Sequence, residues 1–407
     1  MAYRSLSEYS PWPRARQAPK HIFARTAAIA ALLLIRSTSA DVLPDNRADV
    51  FYSKYSGGGM DITGYSATAR AKITENFAVE ANYFIDKVSG ASVDVLSQAS
   101  VIKDERKQKS GTLEYLHDKT TYTASYMSSR ERDYISDTAS FSLSQSMFGD
   151  LTTVTLGFAD THNTVGENNG TANKPDVAWL GHALTRAYSG GLSQIITKNF
   201  IAGVNLQVIT DAGYLANPYR SIRYLDSSNP TKGYSLATQV YPETHTSTAV
   251  QVQAKYYLPY RAAVTGSYRY YRDTWDVVGN TYELDYTHPI RNKWIFEGRV
   301  RYYKQNAASF YSDLFPFAGS QNFTARDQNL AALDNTTIGA KVTYAFLPEG
   351  WKVFKRGTVT ADVSRIRFNY LDFRNIRDFG PPQYAAGDEP LYKFSAMVYQ
   401  VYVSMYF

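Results

Sequence analysis

Cysteine is absent from this 407-residue chain, which excludes disulfides, thiolate metal sites and cysteine nucleophiles together. Long apolar runs are missing too. The longest, Ala27 to Ile35, has nine residues against the roughly 20 that a spanning helix needs. No HExxH pair, GxSxG elbow or EF-hand pattern occurs, and His117, His162, His182, His245 and His288 lie scattered. The expectation is therefore no metal, no cofactor and no enzyme, with a Ser/His barrel hydrolase as the weakest reading. Gly57-Gly58-Gly59 lacks the Lys-Ser/Thr of a phosphate loop and reads as a turn.

A balanced charge emerges once the first segment is set aside. Arg14, Arg16, Lys20 and Arg25 precede the nine-residue apolar run, and Thr38-Ser39-Ala40 follows it, the order of a secretory leader over residues 1–40. That segment carries a net +5 of the chain's formal +6, so residues 41–407 are nearly neutral. A basic pI therefore gives no reason to expect a nucleic-acid partner.

What the chain has in excess is aromatic rings, 34 Tyr and 20 Phe, which suit the two interfacial girdles of a membrane barrel. From Arg47 onward, segments of about ten residues alternate apolar and polar side chains. Val250, Val252, Ala254 and Tyr256, for example, alternate with Gln251, Gln253 and Lys255. Tight polar turns at 74–76, 118–119, 149–150, 197–199, 259–261, 289–293 and 347–350 alternate with longer linkers, notably 86–107, 162–180, 211–245, 305–334 and 371–390. This predicts an all-β fold, a transmembrane antiparallel up-and-down β-barrel of sixteen strands, with fourteen as the alternative count. Short turns would face the periplasm and long loops the exterior, which places the protein in a Gram-negative outer membrane with both termini periplasmic. Outer-membrane lipid and the barrel assembly machinery are the implied partners. Phe77, Tyr115, Tyr256, Tyr286, Trp294 and Phe346 would form one girdle, and Tyr83, Tyr126, Tyr270, Tyr271, Tyr302 and Tyr303 the other. A soluble β-sandwich would explain the alternation, but not a leader and a terminal aromatic strand together.

That last strand places Tyr399, Val401, Val403, Met405 and Phe407 on one face. It resembles the C-terminal assembly signal of bacterial outer-membrane barrels. About seven residues separate the expected cleavage site from the first strand, too few for a plug domain.

If the apolar stripes face lipid, the lumen carries Arg70 and Lys72 opposite Glu80, and further round Lys255, Arg269, Glu283, Asp285, Glu297, Arg299, Arg301 and Lys341. Opposite signs on neighbouring strands suit cross-strand pairing, which either stiffens the wall or sorts solutes by charge. Arg365 and Arg367 continue an outward stripe, where a mid-membrane Arg costs roughly 2–4 kcal/mol. A bulge near Ser364, or exit from the bilayer there, would relieve this. Two long loops carry specific-looking residues, Tyr214, Tyr219, Arg220, Arg223 and Tyr224 in the first and Asp313 and Arg326 in the second. Loops of this length are often lids or constrictions, though they would serve equally as an outer cap.

Tyr52 to Gly59 (YSKYSGGG), Val88 to Val95 (VSGASVDV), Ile209 to Asp226 (ITDAGYLANPYRSIRYLD), Tyr256 to Val277 (YYLPYRAAVTGSYRYYRDTWDV) and Phe310 to Asp327 (FYSDLFPFAGSQNFTARD) resemble an uncharacterised bacterial outer-membrane family, domain of unknown function 3570. The resemblance spans nearly all of residues 41–407 and implies a barrel, without any activity or ligand. Two functions follow as expectations: a porin-like channel for small hydrophilic solutes, or a loop-closed structural or interaction barrel serving a periplasmic or surface partner.

Overall fold

The computed structural model describes residues 42–90, 102–170, 176–347, 350–379 and 383–407. The expected leader and part of the 86–107 and 371–390 loops lie outside the described residues. Eight strands, β1 (Arg47–Gly57), β2 (Met60–Thr74), β3 (Phe77–Gly90), β4 (Ile102–His117), β5 (Thr120–Arg130), β6 (Tyr134–Met147), β7 (Thr152–Asn168) and β8 (Val177–Thr197), lead to β9 (Phe200–Gly213). A short hairpin, β10 (Ser221–Leu225) and β11 (Tyr234–Thr238), stands apart from the wall. Then come β12 (Thr244–Tyr257), β13 (Ala263–Asp273), β14 (Val278–Ile290), β15 (Trp294–Gln305), β16 (Leu333–Ala345), β17 (Arg356–Arg374), one helical turn α1 (Ile376–Phe379) and β18 (Leu391–Tyr406).

Sixteen of these strands close into one antiparallel barrel, each beside its sequence neighbour except where β10–β11 intervenes. The first strand closes on the last, Arg47 opposite Tyr406 and Lys54 opposite Tyr399. Closure removes every edge, so all ladder N–H and C=O groups have partners without water, as a bilayer demands.

Polarity runs opposite to that of a water-soluble barrel. Large apolar side chains on the outer face are exposed, Val50 at 61%, Leu284 at 55% and Ile338 at 62%. Their strand neighbours Asp49, Glu283 and Thr337 point into the lumen. Only lipid makes this arrangement favourable, so the outer band is a membrane surface.

One end of the barrel is made of tight turns, where Asp118, Gly149, Asp150, Arg261 and Arg291 take positive φ. At the other end the β1–β2 hairpin turns through Gly58 (φ 61°) and Gly59 (φ 81°). Two consecutive left-handed residues are what a type I′ turn needs, and glycine supplies them without strain. The remaining connections at this end include the long ones, and several strands continue beyond the expected limits: β3 and β4 still pair at Asp86 and Arg106.

One of the two alternatives at Arg365 falls away, and one expectation needs correction. No bulge occurs at Ser364, which pairs in register with Gly339 on β16 and Val398 on β18. The wall instead carries Arg365 outward above the apolar stripe. Tyr271 and Tyr303 do not join a girdle but face inward, because each follows an outward tyrosine and a strand alternates faces at every residue. Tyr311 and Tyr303 pack with Leu333, Phe368 and Tyr392 in a cluster inside the mouth.

Candidate functional site: a charged lumen beneath a bridged cap

The lumen wall concentrates ion pairs on two arcs. On β14–β16, Arg299 Nε lies 2.7 Å from Asp285 and 3.6 Å from Glu283, Arg301 Nε 3.8 Å from Glu283, and Lys341 pairs with Glu297. On β1–β4, the buried Arg70 donates from both Nη atoms to Glu114, at 2.7 and 2.5 Å, with Glu80 at 3.9 Å. Arg47 bridges Asp49 at 3.0 Å and Glu80 at 3.6 Å. Lys72 stands 3.9 Å from Asp45. Lys255 lies over the Tyr257 ring and Arg269 over Tyr271. Several of these groups are partly exposed, Glu283 at 25% and Arg301 at 31% of the side chain.

The cap grows from the β9–β12 and β15–β16 connections. Asn217 accepts the Tyr219 N–H at 3.0 Å in an Asx turn, which directs the Tyr219 hydroxyl to donate to Asp133 on the β5–β6 turn. The same hydroxyl accepts the Asn168 N–H at the end of β7. From there the chain crosses the mouth. Arg223 on β10 donates from Nη1 to Glu389 Oε1 at 2.5 Å and from Nη2 to Oε2 at 3.0 Å, in the connection before β18. Four strands, β1 to β4, separate β18 from β5 around the wall, so this one loop is moored on well-separated sides.

Asp313 is the hub of the second loop. Its carboxylate pairs with Arg223, lies 2.9 Å from Arg326 Nη2 and accepts the Arg374 N–H at 3.1 Å. Its carbonyl accepts the Nε–H of Arg223 at 2.9 Å and of Arg326 at 3.0 Å. Arg220 pairs with Asp327. Arg223 and Glu389 side chains are both 0% exposed. Burial opposes the Arg223 charge, yet hydrogen bonds and charges from Glu389 and Asp313 lift its pKa above the ordinary arginine value. Burial, then the neighbouring Asp313 charge, pushes the Tyr311 phenol well above its usual range. Buried pairs of this kind add little net stability but fix geometry, since every wrong arrangement leaves a bare charge.

Apolar contacts back the bridges. Trp275, Phe310, Leu215 and Ala325 pack together against Ala183 and Tyr271 of the inner wall. At this rim His245 places Nδ1 3.0 Å from Asp211 and Nε2 3.1 Å from Asp273. With both ring nitrogens held, this histidine is a clamp between β9, β12 and β13.

The structure brings Arg223, Asp313 and Arg326 into one cluster, pairs Arg220 separately with Asp327, and sets Glu283, Asp285, Glu297, Arg299, Arg301 and Lys341 on one arc. Tyr214 packs instead with Tyr134 and Val165, and Tyr224 is a strand residue bridged to Phe315. Tyr399, Val401, Val403 and Met405 lie on the outer face beside β1 and β17. The sequence reading missed Asp133, Asp327 and Glu389 in the cap and Glu114 in the wall. Glu114 carried a signal, being at an inward position of an alternating segment, whereas Glu389 had none.

Similarities to solved structures are distant. CymD, a monoaromatic hydrocarbon channel, is 10% identical, with 93% of this chain and 92% of that chain covered and a TM-score of 0.44. OccK2 of Pseudomonas aeruginosa, in complex with glucuronate, is 10% identical over 89% and 98% at a TM-score of 0.41. The siderophore receptor PirA of Acinetobacter baumannii is 11% identical over 81% of this chain and 53% of that one, TM-score 0.42, so the chain spans about half of that receptor's length. No curated protein matches the sequence. A family profile matches residues 93–356. The closed barrel and this match across more than half of the chain agree, and the chain belongs to the family described as "Protein of unknown function (DUF3570)".

Proposed function

We propose that the protein is a non-enzymatic outer-membrane channel for small hydrophilic solutes, its tight turns toward the periplasm and its cap toward the exterior. The observation that carries the reading is the partly accessible ion-pair arc of Glu283, Asp285, Arg299 and Arg301 below the cap. A barrel of this strand number is wide enough for an aqueous bore, and a wall meant to be packed dry would not keep charged groups open to it. The cap, held by Arg220, Arg223 and Arg326, narrows that bore at the mouth, so only small solutes pass. Liposomes containing the protein should swell in small sugars and progressively less in larger ones. Absence of swelling in any sugar would overturn the channel.

A second reading draws on the completely buried Arg223–Glu389 pair. A mouth sealed by such contacts would make a loop-closed barrel that presents its cap to a surface partner, and it predicts liposomes that stay impermeable.

A further inference from the structure

The outer face at the barrel seam carries cations with no visible counter-ion. On β17 Arg365 and Arg367, on β18 Lys393 and on β1 Lys54 are all exposed and outward-facing. Register places Arg365, Arg367 and Lys393 on the neighbouring strands β17 and β18 and Lys54 one strand beyond, level with Val363. Arg365 lies opposite Met397, which has Ser56 of β1 on its other side, and Arg367 lies opposite Ser395, two residues from Lys393. Lys54 lies opposite Tyr399, the next outward residue. Among the described residues no carboxylate comes within ion-pair distance of any of the four. Elsewhere on the outer wall Lys107, Arg130 and Arg186 are matched, by Glu105 at 2.9 Å, Asp137 at 2.9 Å and Asp160 at 3.0 Å, and the exposed Lys109, Arg272 and Lys304 stand singly on β4, β13 and β15. The flanking outward acids are Asp61 on β2, three strands from Arg365 and on the strand next to Lys54, and Asp334 on β16, which accepts a hydrogen bond from Asn369.

Height along the wall decides what the cluster meets. Tyr406 pairs with Arg356 at the tight-turn end, and Met397, beside Arg365, is nine residues further up β18. A tilted strand crosses the hydrocarbon in about 9–11 residues. Arg365, Arg367 and Lys393 therefore emerge at the far headgroup layer, above the apolar Val359, Ala361 and Val363. Like charges on adjacent strands repel, and at this level lipid phosphate is the anion at hand.

We propose that the β17–β18–β1 face binds a membrane lipid whose headgroup carries two phosphates. Arg367 and Lys393 lie diagonally on adjacent strands, and Arg365 and Lys54 flank β18 from either side below them, so the cations spread over more width than one phosphate covers. A zwitterionic headgroup brings its own cation and a singly charged one satisfies only part of the patch. The inference stands whether or not the lumen conducts.

Native mass spectrometry of the full barrel in detergent, titrated with lipid A, with phosphatidylglycerol and with phosphatidylcholine, tests it. Lipid A should remain bound to the wild type and lose about a hundredfold in affinity in the Arg365→Gln/Arg367→Gln/Lys393→Gln variant. Lys304→Gln, on the outer face of β15, should change nothing. Folding of each variant is checked by heat-modifiable gel migration, and the single Lys393→Gln change, at an exposed site, should give a partial loss. Equal lipid A binding by wild type and triple variant would overturn the proposal, as would equal retention of phosphatidylglycerol and lipid A by the wild type.

Discussion

Arg223 and Glu389, 166 residues apart in the chain, form a bidentate and completely buried ion pair across the barrel mouth. It ties the β10–β11 hairpin to the segment before β18, so the state of the mouth depends on a contact that the wall itself does not require.

Breaking that contact should free the cap without unfolding the barrel. Glu389→Gln leaves Arg223 with Asp313 alone, and removal of one partner from a buried pair costs about 3–5 kcal/mol. The expected outcome is faster protease cleavage in residues 226–240, with heat-modifiable migration of the barrel unchanged.

Arg70 offers a parallel test in the wall. Arg70→Met takes the bidentate cation from Glu114 and leaves Glu80 with Arg47 alone, which should lower unfolding stability in urea by about 3–5 kcal/mol. Arg70→Met/Glu114→Met should recover most of the loss, because the pair is then replaced by apolar side chains. A double variant no more stable than Arg70→Met would contradict the pairing.

The membrane band can be probed from outside. Leu284→Arg, at mid-strand on β14, should destabilise the barrel in vesicles by about 2–4 kcal/mol. Arg365→Leu should leave stability nearly unchanged, since Arg365 already stands at headgroup level. Equilibrium unfolding of the two variants decides it.

A pH effect is expected at the hairpin. Asp226 accepts the Ser228 hydroxyl at 2.6 Å and the Ser235 hydroxyl at 2.5 Å, and these bonds lower its pKa. A depressed carboxylate contributes its stability above the unfolded value, about 3.9, and loses it as pH falls through the folded value. Hydrogen exchange in residues 226–235 should therefore be constant from neutral pH to about pH 4, after allowance for intrinsic rates, and accelerate below that. Asp226→Asn should show the faster exchange already at neutral pH.

How much the sequence disclosed follows from how far each contact reaches. Val250 to Tyr256 and its counterparts declared the strands because lipid on one side and water on the other impose a period of two. Beyond the bilayer both faces are wet, so Lys87, Glu105 and Lys107 continue β3 and β4 without any apolar signal, and the linker at 86–107 read as a loop. Doublets such as Tyr302-Tyr303 were legible through their neighbours, because the inward Arg269, Arg299 and Arg301 fix the phase and put Tyr271 and Tyr303 on the same face. The cap was legible in its residue types, Arg220, Arg223, Asp313 and Arg326, but not in its partners. Asp133 and Glu389 come from distant turns, and no local pattern encodes a contact across the mouth.

An aqueous bore narrowed by a cap that the Arg223–Glu389 pair moors should widen when the mooring is cut. Conductance in planar bilayers of the wild type beside Arg223→Gln/Glu389→Gln measures this. A capped bore gives small discrete steps for the wild type and clearly larger ones for the variant; equal steps, or silence in both, would contradict it.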